Sequence, residues 1–263
     1  MIYDIYIFSF FRHKQELWHM LPTVSKWVDY RNLYVIWDDL FPDDIQDDYT
    51  GPVDWSAYEQ QLGHEITVIN QSTLYDWHED DVTRGWYRQQ FAKMLLPTYA
   101  TTKYNIICDS ECMFRKPYTV FEDGKPILYA DYEFPGDYSC FYPFIEKYLR
   151  RPVDKVGTRV GSCSMWDKDI VQQIWDDCYK YNGKDLIECV REHYNNTRRE
   201  NPDLPEDEIL CFSEFETYGV YAEDSHVVKD KNFEMILRHP DFVPRDSKEL
   251  WIYFEGMQGL IYD

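Results

Sequence analysis

Two carboxylates stand one residue apart in the stretch 104–114, YNIICDSECMF. Asp109 and Glu111 flank Ser110, and the apolar run before them, with Tyr104, Ile106 and Ile107, reads as a buried strand. Acidic side chains at a strand end can turn toward one point. A hard cation such as Mg²⁺ or Mn²⁺ takes such oxygens and fills its shell with water and phosphate. Taken alone, the triplet reads first as a solvated acidic turn.

Two further stretches carry chemistry-bearing side chains. In 84–99, RGWYRQQFAKMLLPTY, the spacing predicts a helix ending near Pro97, with Asp80, Asp81 or Thr83 able to cap its start. Trp86, Gln90 and Lys93 share one face, while Phe91, Met94 and Leu95 supply a packing face. A Gln and a Lys in mid-face are suited to a phosphorylated ligand, although spacing alone favours a solvent-facing stripe. In 211–222, CFSEFETYGVYA, Ser213 and Glu216 have the spacing of a capping box. Glu214 has no such duty and is free to project into a cleft. His226 and His239 follow; His239 precedes a proline and so sits in extended or turn backbone, where a lone histidine is ordinarily a surface residue.

The elements that must position these groups follow a strand–helix–strand rhythm. Residues 3–10 read as a strand and 15–29 as a helix interrupted at Pro22. Residues 32–37, 65–70 and 127–131 read as further strands, with Asp131 and Glu133 at the end of the last. Residues 160–166 read as a Gly-Ser turn, and Asp167 opens a helix reaching about Tyr181. The tail, LWIYFEGMQGLIYD, reads as a closing strand or short helix. The rhythm predicts an α/β layer with parallel strands.

Composition sets outer bounds. The chain has 263 residues, with 27 Lys+Arg against 48 Asp+Glu, a net charge of −21. That balance opposes a broad footprint on nucleic acid or an anionic membrane. Between Arg31 and Arg84 there is no Lys or Arg, and the run DDLFPDDIQDD reads as a solvated loop without the spacing of a calcium site. Only 147–199 leans basic, with Arg191, His193, Arg198 and Arg199. The seven cysteines form no C-x-x-C pair, which argues against a zinc or disulfide framework and for reduced thiols. No basic leader or membrane-length apolar run is present, so a cytoplasmic, soluble protein is expected. There is no P-loop, no dinucleotide fingerprint after a strand and no G-x-S-x-G elbow.

Taken together, GWYRQQFAKM, the strand ending CDSEC and the later SEFETYG resemble glycosyltransferases of the GT-A fold, over roughly residues 3–240. The resemblance is to a soluble group with G-W-x-x-Q-Q-x-x-K, a D-x-D-like strand end and an S-E-x-E-x-Y-G segment. It implies one GT-A-like, Rossmann-like α/β domain over 1–263, its mixed, mainly parallel sheet flanked by helices. Residues 1–115 would form the nucleotide-sugar half and 116–263 the acceptor half.

The resemblance also implies roles. Asp109 and Glu111, with His239 and behind it His226, would hold Mn²⁺ or Mg²⁺ against the diphosphate of a nucleotide-sugar, with UDP the expected nucleotide. Glu stands where the family has Asp at the third position. Ser9, Phe10, Arg12, Arg84, Gln90, Lys93, Asp109 and Ser110 would contact the donor. Glu214, then Asp131, would take the acceptor's proton if the reaction inverts. The acceptor hydroxyl would belong to a saccharide or to a hydroxymethylated pyrimidine flipped out of viral DNA onto the basic stretch. A non-catalytic nucleotide-sugar-binding protein and a metal-dependent hydrolase are the other readings.

Overall fold

The structure is a computed structural model. It describes residues 2–10, 13–40, 53–77, 85–110, 112–114, 117–130, 139–153, 157–159, 163–203, 209, 211–230, 234–237 and 251–254, the last two segments by their backbone. Arg12, Arg84, Glu111, Asp131 and His239 lie outside the described residues, as do the caps Asp80, Asp81 and Thr83.

In chain order the elements are β1 (Asp4–Phe10), α1 (Lys14–Trp27), β2 (Leu33–Asp38), α2 (Trp55–Leu62), β3 (Thr67–Asn70), α3 (Gly85–Met94), α4 (Leu96–Tyr99), β4 (Tyr104–Asp109) and β5 (Cys112–Phe114). Then come β6 (Phe121–Glu122), β7 (Lys125–Ala130), α5 (Tyr142–Tyr148), β8 (Cys163–Asp167), α6 (Lys168–Asn182), α7 (Leu186–Glu200), α8 (Glu214–Ala222), β9 (Val227–Asp230), β10 (Glu234–Leu237) and β11 (Trp251–Phe254). The main sheet runs β3-β2-β1-β4-β8. Its first four strands are parallel and β8 is antiparallel to β4. Two smaller sheets run β10-β11-β5 and β6-β7-β9. The mixed α/β architecture with a mainly parallel central sheet is therefore as the sequence predicts.

Strand alternation sorts the core into two layers. Ile5, Ile7, Ile106 and Cys108 face Leu17, Met20, Leu21 and Val24 of α1. Tyr6, Phe8, Ile36 and Ile107 face the other layer, with Tyr87 and Phe91 of α3, Val171 and Ile174 of α6, and Phe215 and Tyr218 of α8. By the same parity Asp38 follows Ile36, and Asp109 follows Ile107, onto the face covered by α3 and α8.

Some local expectations are corrected. α1 continues through Pro22. Proline removes one backbone donor, and the burial of Leu17, Met20, Leu21 and Val24 holds the helix regardless. Residues 163–167 form strand β8 rather than continuing a turn. All five are buried, so the strand has no polar-out alternation to announce it. Asp38 is buried and ion-paired, not solvated. The expected helix from Asp167 is present, with Asp167 accepting from the Asp169 amide as its cap.

Candidate active site

The parallel strands β1, β2, β3 and β4 all end at one edge of the sheet. The chain steps outward from β1 to β2 and β3, then returns to place β4 on β1's other side. Between β1 and β4 the order reverses, and a crevice outside the carboxyl ends of strands at such a point is where open α/β sheets bind ligands. Phe8 is in register with Asp109 across this boundary, and the Ser110 amide donates to the Phe8 carbonyl at 3.1 Å.

Lys93 is the centre of the charge at these strand ends. Its side chain is buried, and Nζ lies 2.7 Å from Asp109 Oδ1 and 2.7 Å from Glu214 Oε1. The ammonium also sits 4.6 Å from the centre of the Phe215 ring and 5.6 Å from that of Phe8. Burial alone would push this lysine's pKa down. The two carboxylates more than reverse that and hold it above the ordinary lysine range, so the group is a fixed cation. Gln89 Nε2 donates to Asp109 Oδ1 at 3.0 Å, and the Glu214 amide donates to Gln90 Oε1 at 3.2 Å. The solvent-facing stripe predicted for Gln90 and Lys93 is thus overturned: both are buried against α8 and β4.

Each conspicuous residue of SEFETYG has its own structural task. Ser213 caps α8 by accepting from the Glu216 amide. The Glu216 carboxylate accepts from the Arg159 amide at 2.6 Å and from Arg159 Nη1 at 3.1 Å. Arg159 also meets Glu223, one turn beyond Gly219. A Cβ on Gly219 would lie 2.3 Å from Arg159 Cδ, so only glycine lets the buried guanidinium pass. Tyr218 stacks on Trp166, accepts from the Asp167 amide at 2.7 Å and shares a hydrogen bond with His226 Nε2 at 3.0 Å. These contacts pin α8 to the sheet and leave Glu214 facing Lys93.

Arg88 Nη2 donates to Asp38 Oδ2 at 3.0 Å, with both side chains buried. Burial pushes the Asp38 carboxyl up from its ordinary value, and the arginine offsets only part of that. This pair ties α3 to the end of β2, and sequence reasoning missed it along with Gln89. The one available signal for Gln89 was its position four residues before Lys93.

The structure brings Gln90, Lys93, Asp109 and Glu214 together, with Ser9, Phe10 and Ser110 at the adjoining strand ends. Ser9 Oγ and Gln90 Nε2 are buried without a hydrogen-bond partner among the described residues. Ser110 Oγ is 3.5 Å from His13 Nδ1, and Phe10 packs on the His13 ring. His226 is not a metal candidate: it is buried between Tyr218 and Ser225, and burial lowers its pKa to about 4.

Asp109 is the only expected metal ligand, His226 aside, that the described residues contain, and its Oδ1 is committed to Lys93 and Gln89. No group of three or more His, Cys, Asp or Glu suited to a metal occurs among the described residues. A fixed ammonium against Asp109 also disfavours a second cation on that oxygen. Glu111 and His239, the other expected ligands, lie outside the described residues.

The chain belongs to a family of unknown function, DUF6492, whose model matches residues 56–252. No curated protein sequence matches it. Among solved structures it is similar to the glycosyltransferase GlyE of Streptococcus pneumoniae, at 11% identity and a TM-score of 0.46, covering 96% of this chain and 54% of GlyE. This chain therefore spans about half the length of GlyE. It is also similar to mouse xyloside xylosyltransferase 1, at 7% identity and a TM-score of 0.48, covering 90% and 88% of the two chains. A third similar structure is the galactosyltransferase LgtC, at 10% identity and a TM-score of 0.47, covering 96% and 87%. Among the described residues no helix is long and apolar enough to cross a membrane.

Proposed function

We propose that the protein is a glycosyltransferase that moves a sugar from a nucleotide-sugar, with UDP as the nucleotide, to a hydroxyl acceptor. The observation that carries the reading is the buried Lys93 ammonium shared by Asp109 and Glu214 beside the switch point between β1 and β4. Lys93, Asp109 and Glu214 together are one cation against two carboxylates, so the ammonium becomes available to a diphosphate as Glu214 takes up a proton, and in this buried setting it then acts strongly on the leaving group.

In this mechanism the acceptor oxygen attacks the anomeric carbon as the bond from that carbon to the diphosphate oxygen breaks. The bonding pair leaves with the diphosphate, whose developing charge Lys93 stabilises. Glu214 takes the acceptor's proton, which makes the transfer inverting. Gln89 holds Asp109 in place, and Ser9, Phe10 and Ser110 bound the nucleotide side. Residues 1–115 contribute the donor side, and Glu214 of 116–263 supplies the group that takes the acceptor's proton. A saccharide is the acceptor favoured by the acidic net charge, which opposes a DNA footprint.

The expectation of Mn²⁺ or Mg²⁺ requires Glu111 and His239 to join Asp109. One experiment tests both parts: thermal unfolding with UDP, GDP, CDP, ADP and their sugar conjugates, with and without Mn²⁺. A ligand that binds only the folded state raises the melting temperature. A shift confined to one nucleotide and lost in Lys93→Met supports the reading. No shift with any nucleotide, with or without metal, overturns it. A shift that needs Mn²⁺ and is lost in Glu111→Gln supports the metal.

A further inference from the structure

Trp86 is exposed at 44%, an unusual position for an indole in a helix whose next residue, Tyr87, is buried. It is the first member of a stripe along α3. Gln89, Gln90 and Lys93 follow at three, four and seven residues, so all four side chains share one face. Seven residues of helix span about 10 Å, which separates the indole from the ammonium by more than one sugar ring. The indole is also held in place: it meets Tyr87 edge-on at 5.0 Å and lies nearly parallel to Phe141 at 6.5 Å. Phe141 is itself buried, at the residue that caps α5.

A second observation lies between the indole and Lys93. Gln90 is 1% exposed, and its Nε2 has no hydrogen-bond partner among the described residues. The amide's orientation is set by its other end, because Oε1 accepts from the Glu214 backbone. A buried amide donor left without an acceptor costs free energy unless something completes it.

Resting on the glycosyltransferase reading, we propose that Trp86 and Gln90, the latter expected from the resemblance to contact the donor, form the acceptor subsite and that its occupant is a pyranoside. The C–H face of a pyranose carries partial positive charge and packs on the negative face of an indole. A ring hydroxyl oxygen accepts from Gln90 Nε2. The same amide group is bonded to the start of α8, so the hydroxyl it holds is brought next to Glu214, the group that takes the proton.

The test uses the full chain saturated with UDP and saturation-transfer NMR on methyl β-D-galactopyranoside, methyl β-D-glucopyranoside and lactose. Wild type should transfer magnetisation to the ring C–H protons of at least one. Trp86→Ala should weaken binding of that glycoside about tenfold, Trp86→Phe should retain most of it, and both should keep the wild-type thermal shift with UDP. Undiminished saccharide binding in Trp86→Ala overturns the subsite. So does a wild type that shifts with UDP but gives no transfer to any of the three glycosides. No shift with UDP or with any other nucleotide, with or without metal, instead defeats the parent reading.

Discussion

Lys93 Nζ and Glu214 Oε1 meet at 2.7 Å across 121 residues of chain. The contact joins the helix before β4 to the first turn of α8, and Asp109 on β4 completes it. Three segments that look unrelated along the chain therefore share one buried cation.

Removing that cation exposes the cost of the arrangement. Lys93→Met leaves Asp109 and Glu214 without their common counter-charge, and breaking a buried ion pair from one side costs about 3–5 kcal/mol. The melting temperature should fall by roughly 10 °C, at about 2–4 °C per kcal/mol for a chain of this size. The pH sign follows from the raised pKa. The ammonium's contribution is complete below the ordinary lysine value of 10.5 and is lost only as pH rises through the higher folded value. In the wild type, Lys93 should therefore contribute no slope to the stability profile from pH 6 to 9.

Glu214→Gln separates chemistry from stability. The amide keeps the side chain's shape and an oxygen for Lys93, and Asp109 remains as the ionic partner. Unfolding free energy should stay within about 1.5 kcal/mol of wild type, the net worth of one hydrogen bond. Sugar transfer should drop about 10²–10⁴-fold, the usual contribution of a positioned base. Equal losses in nucleotide binding and in transfer would refute that role.

Gly219→Ala tests the packing that aims Glu214. Its Cβ would be 2.3 Å from Arg159 Cδ and 2.7 Å from Arg159 Cβ, so the arginine must shift off Glu216 or the helix must move. Overpacking of this kind costs about 1–3 kcal/mol. Chemical denaturation should show that loss, and Arg159→Ala added to Gly219→Ala should fail to worsen it additively, because the clash is with the removed side chain.

His226 predicts an acid-labile fold. Its pKa is lowered from 6.5 to about 4 by burial. Above pH 6.5 neither state holds the proton, and the stability tied to the neutral imidazole is intact. As pH falls from 6.5 to about 4 the unfolded chain takes up the proton first, and about 3 kcal/mol is lost. His226→Gln should flatten that part of the stability profile. An unchanged slope between pH 6.5 and 4 in the variant would assign it to other groups.

Much of this was legible from sequence for a plain reason. β1, β2 and β4 are short apolar runs, and Asp109 ends one of them. Glu214 stood out because its neighbours Ser213 and Glu216 had the spacing of a cap. The half of that box from Ser213 to the Glu216 amide is present, while the Glu216 carboxylate serves Arg159. A polar stripe such as Trp86, Gln90 and Lys93 gives the same periodicity whether it meets water or buried partners. Only the fold decides, because the partners come from residues far along the chain. Asp38 misleads likewise: it begins an acidic run, yet Arg88 of α3 closes over it.

The two-layer parity of β4 makes its length a kind of reading frame. Inserting or deleting a single residue between Tyr104 and Asp109 would carry the carboxylate to the α1 side of the sheet, away from Lys93. Viable variants of this chain should therefore accept only apolar exchanges of similar volume at Ile106 and Ile107, both fully buried, and no change in the strand's residue count.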